Sequence, residues 1–275
     1  MLQLPPHIIL EVTSCCNFHC PFCYCVWHEF PELAKPELDT TAWEDILREC
    51  AAHGIQDFLF TGGEATLRQD IWHLMEFARN LMQSARLALF TNGSRMTEDK
   101  LLWCKNQKIY LSTSLQGLRT YAIQTGTRRT YAKTLSFIAR AAELDWPADV
   151  SITVNKTNRH EIADMVAASV LSNAKSIQIG PVMLEGKARN HPELAFSHDE
   201  WEAVKAEINA LPDGGIPRWF VDEMLCECRL QPKELVKSFG CNESRPCTAG
   251  KTFGVIGPSG YFRKCLHTIE NIEWR

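Results

Sequence analysis

Three cysteines near the N-terminus, Cys16, Cys20 and Cys23, follow one another with C-x3-C-x2-C spacing. A cubane iron–sulfur cluster is normally held by four cysteine thiolates, one on each iron. Three thiolates on one short loop would hold three irons and leave the fourth free to bind and activate another molecule. The spacing therefore predicts chemistry at an open iron, with a zinc site as the alternative for the triad taken alone.

Four other cysteines lie in the N-terminal part of the chain. Cys15 and Cys25 flank the triad and offer other spacings, and we interpret both as packing or reactive residues and not as ligands. Cys50 and Cys104 each lie inside a helical pattern and are predicted to be buried apolar residues.

The composition is that of an ordinary globular protein. Its 275 residues, 45% hydrophobic and 23% charged, suit one large α/β domain with a small appendage. The net charge of −4 gives no electrostatic footprint for nucleic acid. No run approaches the roughly 18 apolar residues of a membrane span, and the N-terminus lacks a signal-peptide pattern. We expect a cytosolic protein whose twelve cysteines are metal ligands or redox groups rather than disulfides.

Patterns that alternate between strand and helix indicate how the triad is positioned. Strands are predicted over residues 7–12, 57–61, 87–91, 108–114, 150–154 and 176–180, and helices over residues 41–53, 71–82, 97–105, 131–144, 160–171 and 197–210. Residues 121–129 are predicted to form an exposed loop and residues 254–262 a hairpin. The alternation predicts a parallel sheet wound right-handedly, with ligands bound at the C-terminal ends of its strands.

Polar and glycine residues follow these strands directly. They include Gly62, Gly63, Glu64, Asn92, Ser114, Gln116, Asn155 and Gly180. If the strands are parallel neighbours, all of these positions converge on the mouth where the cysteine loop lies.

The triad, followed by Gly62, Gly63 and Glu64 after the second strand, resembles the radical S-adenosylmethionine superfamily over about residues 8–186. The resemblance implies a partial (β/α)6 TIM-like barrel in an α/β fold, and a 4Fe-4S cluster on Cys16, Cys20 and Cys23. In that family the free iron chelates S-adenosylmethionine. An electron from the cluster then cleaves the cofactor to methionine and a 5′-deoxyadenosyl radical.

The same resemblance implies S-adenosylmethionine contacts at eight residues: Gly62, Gly63, Glu64, Ser114, Gln116, Asn155, Ile179 and Arg189. The segment 62–64 matches the family's contact to the methionine ammonium. Residues 114–117 match a segment beside the ribose, although Gln116 replaces a frequent aspartate. Ile179 falls where the family packs the adenine, and Arg189 could meet a carboxylate.

A second group of cysteines lies near the C-terminus. It comprises Cys226, Cys228, Cys241, Cys247 and Cys265. The pattern Cys247, twelve residues, Gly260, four residues, Cys265 resembles the start of SPASM and Twitch modules, where a hairpin carries an auxiliary 4Fe-4S cluster. The resemblance implies Cys241, Cys247 and Cys265 as ligands, and a division into residues 1–190 and a module of linker helix and cluster over residues 191–275.

The roles of Cys226 and Cys228 stay open. One of them would be the fourth ligand of the auxiliary cluster, or a thiol that donates a hydrogen atom to a substrate radical, or both are structural. His267 could be a ligand, but an exposed histidine is the simpler expectation.

The resemblance points to a peptide maturase that abstracts hydrogen from a ribosomally made peptide. Its partners would be that peptide, an external electron donor such as flavodoxin or ferredoxin and, because only 15 residues precede Cys16, a separate leader-binding protein or the barrel itself. The alternatives are an enzyme acting on a small molecule or in cofactor biosynthesis, and a non-catalytic iron–sulfur electron carrier or sensor.

Overall fold

The computed structural model describes residues 4–212, 217–220, 249–267 and 269. Its strands are β1 (His7–Glu11), β2 (Asp57–Thr61), β3 (Arg86–Phe90), β4 (Ile109–Ser114), β5 (Asp149–Val154), β6 (Ser176–Pro181), β7 (Arg218–Phe220), β8 (Phe253–Ile256) and β9 (Phe262–Arg263). Its α-helices are α1 (Thr40–Ala52), α2 (Ile71–Leu81), α3 (Glu98–Asn106), α4 (Tyr121–Thr125), α5 (Tyr131–Glu143), α6 (Ile162–Leu171) and α7 (His198–Asn209).

Within the described residues, the strands form one open sheet in the order β7-β6-β5-β4-β3-β2-β1-β8-β9. All neighbouring pairs from β7 to β8 are parallel, and only the β8–β9 pair is antiparallel. Because β1–β8 are all parallel, their C-terminal ends lie at the same edge of the sheet, and helices connect the successive strands from β1 to β7. The predicted α/β fold with a parallel sheet is confirmed.

Strands β1–β6 each have one face toward the helices and one face toward a cavity, because successive side chains of a strand point to opposite faces. The helix-facing side chains are large, aliphatic or aromatic, and fully buried; they include Ile8, Leu10, Phe58, Phe60, Leu87, Leu89, Val150, Ile152, Ile177 and Ile179. Burial of such a side chain stabilises the fold by roughly 1.5–3 kcal/mol. The opposite face is free to carry polar groups.

The helices cover the sheet with apolar stripes at helical spacing. On α1, Trp43, Ile46, Leu47 and Cys50 are all buried, which is the i, i+3, i+4, i+7 pattern of one helix face. Asp39 begins this helix by accepting a hydrogen bond from the Ala42 amide at 2.9 Å. The predicted burial of Cys50 and Cys104 is confirmed.

The predicted loop over residues 121–129 is wrong for residues 121–125, whereas residues 126–129 lie outside any helix or strand. Residues 121–125 form the short helix α4, which ends at Gly126 in the left-handed conformation, with φ of 61°. Tyr121, Gln124 and Thr125 are buried, so this segment packs inward rather than facing solvent. Five residues contain too few apolar positions to show helical periodicity, so the sequence pattern did not predict this helix.

The C-terminal hairpin joins the main sheet. The predicted hairpin forms as β8 and β9, and β8 pairs in parallel with β1, with His7 opposite Phe253 and Leu10 opposite Ile256. The sheet therefore contains strands from both predicted parts of the chain, residues 1–190 and residues 191–275. Cys226, Cys228, Cys241 and Cys247 lie outside the described residues.

A buried ion pair fastens this hairpin to β1. Arg263 of β9 and Glu11 of β1 are each 1% exposed and lie in direct contact. Burial raises the pKa of Glu11 to about 7, although the guanidinium beside it acts in the opposite direction.

In the part of the chain that the structure describes, no helix is both long enough and apolar enough to cross a membrane.

Candidate active site

A cavity of about 900 Å³ lies against the inner face of the sheet. Residues at the C-terminal ends of the strands line it, namely Cys16, Cys20, Cys23, Gly62, Gly63, Glu64, Asn92, Ser114 and Gln116. The predicted convergence is therefore found for the triad, the segment 62–64, Asn92, Ser114 and Gln116, but not for Asn155 and Gly180, which do not line the cavity. A concave site with a few convergent polar groups is the usual form of a ligand pocket, for which volumes of about 300–1,000 Å³ are typical.

The two glycines after β2 let the cysteine loop lie directly on the sheet. Gly63 N donates to Thr13 O at 2.7 Å, and Glu64 N donates to Cys15 O at 2.8 Å. A Cβ at Gly62 would lie 2.3 Å from Thr13 O, and one at Gly63 would lie 2.3 Å from Cys15 O. Any larger residue would push the loop away, so glycine is required by this close approach.

The Glu64 carboxylate is already engaged by the protein. It is 2% exposed, and its Oε1 accepts hydrogen bonds from Thr66 N at 3.1 Å, Thr66 Oγ1 at 2.5 Å and Thr91 Oγ1 at 2.6 Å. Its Oε2 accepts from Asn92 N at 2.7 Å. A carboxylate oxygen takes about two hydrogen bonds. Oε2 is therefore the oxygen with acceptor capacity left for a ligand's ammonium.

Amide side chains tie the cysteine loop to the end of β3. Asn92 Nδ2 donates to Asn17 Oδ1 at 2.9 Å, and Asn17 Nδ2 donates to Ser94 Oγ at 2.8 Å. Asn17 is the residue next to Cys16, so this bridge holds the first cysteine of the triad beside the Glu64 network.

Helix α4 supports the middle of the loop. His19 N donates to Thr125 O at 2.8 Å, and Phe18 packs edge-on against Tyr121 with ring centroids 6.3 Å apart. A Cβ at Gly126 would lie 2.6 Å from His19 O. The segment that sequence patterning assigned to solvent is thus a support for the cysteine loop.

Glu37 fixes the start of the loop. Its carboxylate accepts from Ser14 N at 2.8 Å, Ser14 Oγ at 2.5 Å and Thr13 Oγ1 at 3.0 Å. Sequence reasoning missed Glu37 because a lone glutamate in an irregular segment carries no local signal.

The pKa values of the three thiols are shifted in different directions. Burial raises the pKa of Cys16 to about 11 and that of Cys20 to about 12. A hydrogen bond from Cys25 holds the pKa of Cys23 well below its ordinary value, and the same contact raises the pKa of Cys25. Because metals bind the thiolate, loading this loop must release the protons of Cys16 and Cys20.

The residues fit a cubane cluster with an open iron. Three thiols of one anchored loop line the cavity together with Gly62, Gly63 and Glu64, whose Oε2 has acceptor capacity left. No three His, Cys, Asp or Glu side chains converge on a single point in the described ranges, as the ligands of one metal ion would. The thiolates of a cubane instead bind separate irons.

The other predicted contacts are divided between cavity and core. Ser114 and Gln116 line the cavity, and Gln116 Oε1 accepts from Thr153 N at 3.2 Å. Asn155 is fully buried and pairs through two hydrogen bonds with Gln124, at 2.8 and 3.1 Å. Ile179 packs in the core beneath the helices.

Arg189 lies next to carboxylates of the protein itself. Its Nε is 3.0 Å from Glu29 Oε1 and 3.1 Å from Glu185 Oε2. Asn155, Ile179 and Arg189 are not among the described residues that line the cavity.

Sequence reasoning missed several polar residues on the inner face. They are Ser151, Ser176 and Gln178, which line the cavity from β5 and β6. The signal was the two-residue alternation of small polar and large apolar side chains along each strand. The prediction used only the residues at strand ends, so it did not include these positions.

His267 is not exposed, contrary to the expectation from sequence. It is 1% exposed, lines the cavity and packs edge-on against Tyr24 with ring centroids 5.5 Å apart. Burial lowers its pKa to about 4. The nearby Cys265 is 4% exposed and packs against Ala249 and Phe253.

The sequence profile of the radical SAM superfamily matches residues 10–168, the stretch that contains the triad and Gly62–Glu64. The chain belongs to the radical SAM superfamily. A 4Fe-4S cluster and S-adenosylmethionine are the cofactors that membership implies, and residues of the cavity just described suit both.

Known members of the superfamily are similar in sequence. The chain is 27% identical over 188 residues to the sporulation killing factor maturation protein SkfB of Bacillus subtilis, an alignment covering 67% of this chain and 44% of SkfB. It is 27% identical over 280 residues to the PqqA peptide cyclase of Bradyrhizobium diazoefficiens, covering 98% of this chain and 68% of the cyclase.

Solved structures share the fold. Streptococcus suis SuiB bound to its precursor peptide SuiA superposes with a TM-score of 0.73 at 15% identity, over 98% of this chain and 62% of SuiB. Native anSMEcpe with bound AdoMet gives a TM-score of 0.70 at 16% identity, over 96% of this chain and 75% of that chain. The chain thus spans less than half of SkfB and about three-fifths of SuiB.

Proposed function

We propose that this protein is a radical SAM peptide maturase, which uses a 5′-deoxyadenosyl radical to abstract hydrogen from a ribosomally made peptide. The single observation that carries the proposal is the placement of the cysteine triad and the Gly-Gly-Glu segment on one cavity. The similarity to a maturation protein and a peptide cyclase supports a peptide as substrate.

In this proposal Cys16, Cys20 and Cys23 hold the cluster, which supplies the electron that cleaves S-adenosylmethionine. Oxygen acceptors of the segment 62–64 bind the methionine ammonium, a charge-assisted contact that favours a carboxylate. Ser114 and Gln116 bind the ribose from the end of β4, two strands along the sheet from β2.

The rest of the inner face would receive the substrate. On its β1–β3 side Ile9, Leu59, Ala88 and Phe90 are apolar and Arg86 is charged, and its β4–β6 side carries the hydroxyl and amide groups described above. A peptide side chain against the apolar residues would lie next to the cofactor, which would extend from the segment 62–64 to Ser114 and Gln116, and the loop and sheet around both would exclude water from the radical.

We further propose an auxiliary 4Fe-4S cluster on Cys241, Cys247 and Cys265, with Cys226 or Cys228 as fourth ligand or hydrogen donor. The burial of Cys265 next to the hairpin supports a structured site there. An external electron donor of the flavodoxin or ferredoxin type, a separate leader-binding protein and a cytoplasmic location complete the proposal.

The test is anaerobic reconstitution of the wild-type chain and of a Cys16→Ala, Cys20→Ala, Cys23→Ala triple variant. We expect about eight irons in the wild type and about four in the variant, one cubane per site. Only the wild type should form 5′-deoxyadenosine from S-adenosylmethionine and a reductant. Cleavage retained by the variant would refute the first cluster, and no cleavage by the loaded wild type would indicate an electron carrier or sensor.

The substrate is tested with a deuterated peptide encoded by a short neighbouring reading frame. Deuterium recovered in 5′-deoxyadenosine supports hydrogen abstraction from the peptide. Cleavage that no such peptide stimulates or labels would point instead to a small-molecule substrate.

A further inference from the structure

Beyond the triad and its neighbours, the end of the cysteine loop rests on a turn after β6. Gly186 has φ of 57°, and a Cβ there would lie 2.7 Å from Cys23 O and 2.6 Å from Cys25 O. The next residue, Lys187, donates its amide to Cys23 O at 2.8 Å. The turn therefore lies in direct contact with the backbone of Cys23, the last cysteine of the triad.

A three-residue ionic network holds this turn. Glu185 precedes Gly186, its side chain is 1% exposed, and Arg189 reaches it from one helical turn further along. Arg189 Nε also lies 3.0 Å from Oε1 of Glu29, which follows the cysteine loop in sequence. One guanidinium thus joins the turn to the segment that leaves the loop.

The burial of Glu185 makes Arg189 hard to replace. An ionised carboxylate removed from water is strongly unfavourable unless a cation and hydrogen bonds accompany it. The planar fork of arginine can serve two carboxylates at once, which a lysine ammonium cannot do with the same geometry. To bind a ligand's carboxylate instead, Arg189 would have to move away from Glu185. Glu185 would then stay buried without this cation, with only its other contacts.

We propose that Arg189 is a positioning residue for the first cluster. Through its ion pairs with Glu185 and Glu29 it holds the Gly186 turn against Cys23, and the turn sets the orientation of that ligand. The inference rests on the proposed role of Cys23 as a cluster ligand. It assigns Arg189 a role different from the contact to S-adenosylmethionine that the family resemblance implies.

The experiment compares Arg189→Met with Arg140→Met in the full-length, anaerobically reconstituted protein. Arg140 is the matched control because it also pairs with two carboxylates, Glu98 and Glu143, at 2.5 and 2.6 Å, but on the exposed outer surface. Cluster loss to an iron chelator and the dissociation constant of S-adenosylmethionine are measured for each. The first cluster is monitored by the EPR signal that changes when S-adenosylmethionine is added.

Arg189→Met should lose the first cluster about 10–100-fold faster than the wild type, the range for removal of a group that orients metal ligands. Its EPR signal should be broadened, and the affinity of the remaining loaded protein for S-adenosylmethionine should be unchanged. Arg189→Lys should retain more cluster than Arg189→Met, and Arg140→Met should behave as the wild type.

Gly186→Ala tests the same contact without altering charge. Its added methyl group would displace the turn from Cys23 and Cys25, so it should reproduce the faster cluster loss. Because circular dichroism reports folding independently, faster loss from a variant that melts as the wild type does supports positioning.

Three outcomes would overturn the inference. They are weaker binding of S-adenosylmethionine to Arg189→Met with normal cluster retention, no change in either property, and equal cluster loss from Arg140→Met. Failure of the wild-type triad to hold a cluster at all would refute the proposed function instead, and is distinguished by the triple cysteine variant.

Discussion

The backbone amide of Asn92 donates a 2.7 Å hydrogen bond to Oε2 of Glu64, which joins the end of β2 to the loop after β3. The same asparagine uses its side-chain amide to hold Asn17 of the cysteine loop at 2.9 Å. The acidic residue of the Gly-Gly-Glu segment is therefore a junction between two strand ends and the cysteine loop, besides lining the cavity.

Glu64→Gln should destabilise this junction. Four donors point at the carboxylate, and an amide can accept through only one of its two polar atoms. At least one buried donor then loses its partner, at a cost of about 1–3 kcal/mol in the free energy of unfolding. Urea denaturation measures the loss. Glu98→Gln, at an exposed site, is the control and should leave the unfolding free energy nearly unchanged.

Gly63→Ala should prevent cluster loading while leaving most of the fold intact. The added methyl group would lie 2.3 Å from Cys15 O, so the loop must move off the sheet. We expect iron at the first site to fall from about four atoms per chain to background. Gly54→Ala is the control for strain without a clash: its φ of 70° disfavours alanine, but its Cβ would meet nothing within 4 Å, so its iron content should stay normal. Normal iron content in Gly63→Ala would contradict the close approach described here.

Asn17→Ala should make the first cluster easier to remove. The change breaks the hydrogen bonds to Asn92 and Ser94, each worth about 0.5–1.5 kcal/mol. Chelator kinetics at constant temperature measure the effect. Ser94→Ala breaks only the second bond, so its effect should be smaller; equal effects would mean that the Asn17–Asn92 contact contributes nothing.

His267 should make the stability of the apoprotein depend on pH in a defined window. Its pKa is about 4 when folded, against 6.5 when unfolded, so between these values the unfolded state binds more protons. Stability contributed through His267 therefore rises as pH increases from about 4 to 6.5, by up to about 3 kcal/mol at 1.36 kcal/mol per pKa unit.

The measurement is the unfolding free energy of the wild type minus that of His267→Asn across this range. Glu11, whose pKa is raised to about 7, acts with the opposite sign as pH rises from about 4.5 to 7. Taking the difference between variants cancels that contribution. A flat difference would mean that His267 titrates normally and is accessible to water.

Much of the fold could be predicted because its signals are local. The alternation of strand and helix patterns follows from side-chain periodicity, and strand β2 was predicted with the bounds that the structure has. Helix α4 was missed because it is short and because Tyr121 and Thr125, two of its buried residues, contact the cysteine loop, which is distant in sequence.

The site shows the same division. Spacing alone brought Cys16, Cys20 and Cys23 to attention, and the order of strands placed Ser114 and Gln116 near them. Nothing local indicated that Glu37 would anchor the loop, since that contact depends on which segments the fold brings together, whereas the alternation of side chains along β6 carried a signal for Gln178 that strand ends alone did not show.

By itself, the sequence determined the chemistry that the protein is equipped for, because ligand spacing and the Gly-Gly-Glu segment are contiguous along the chain. Only the tertiary structure decided that Glu64 joins two strand ends, that Arg189 lies between Glu29 and Glu185, and that His267 is buried against Tyr24. Burial and charge pairing arise from residues far apart in sequence, so the environment of these ionisable groups exists only once the sheet and its loops have come together.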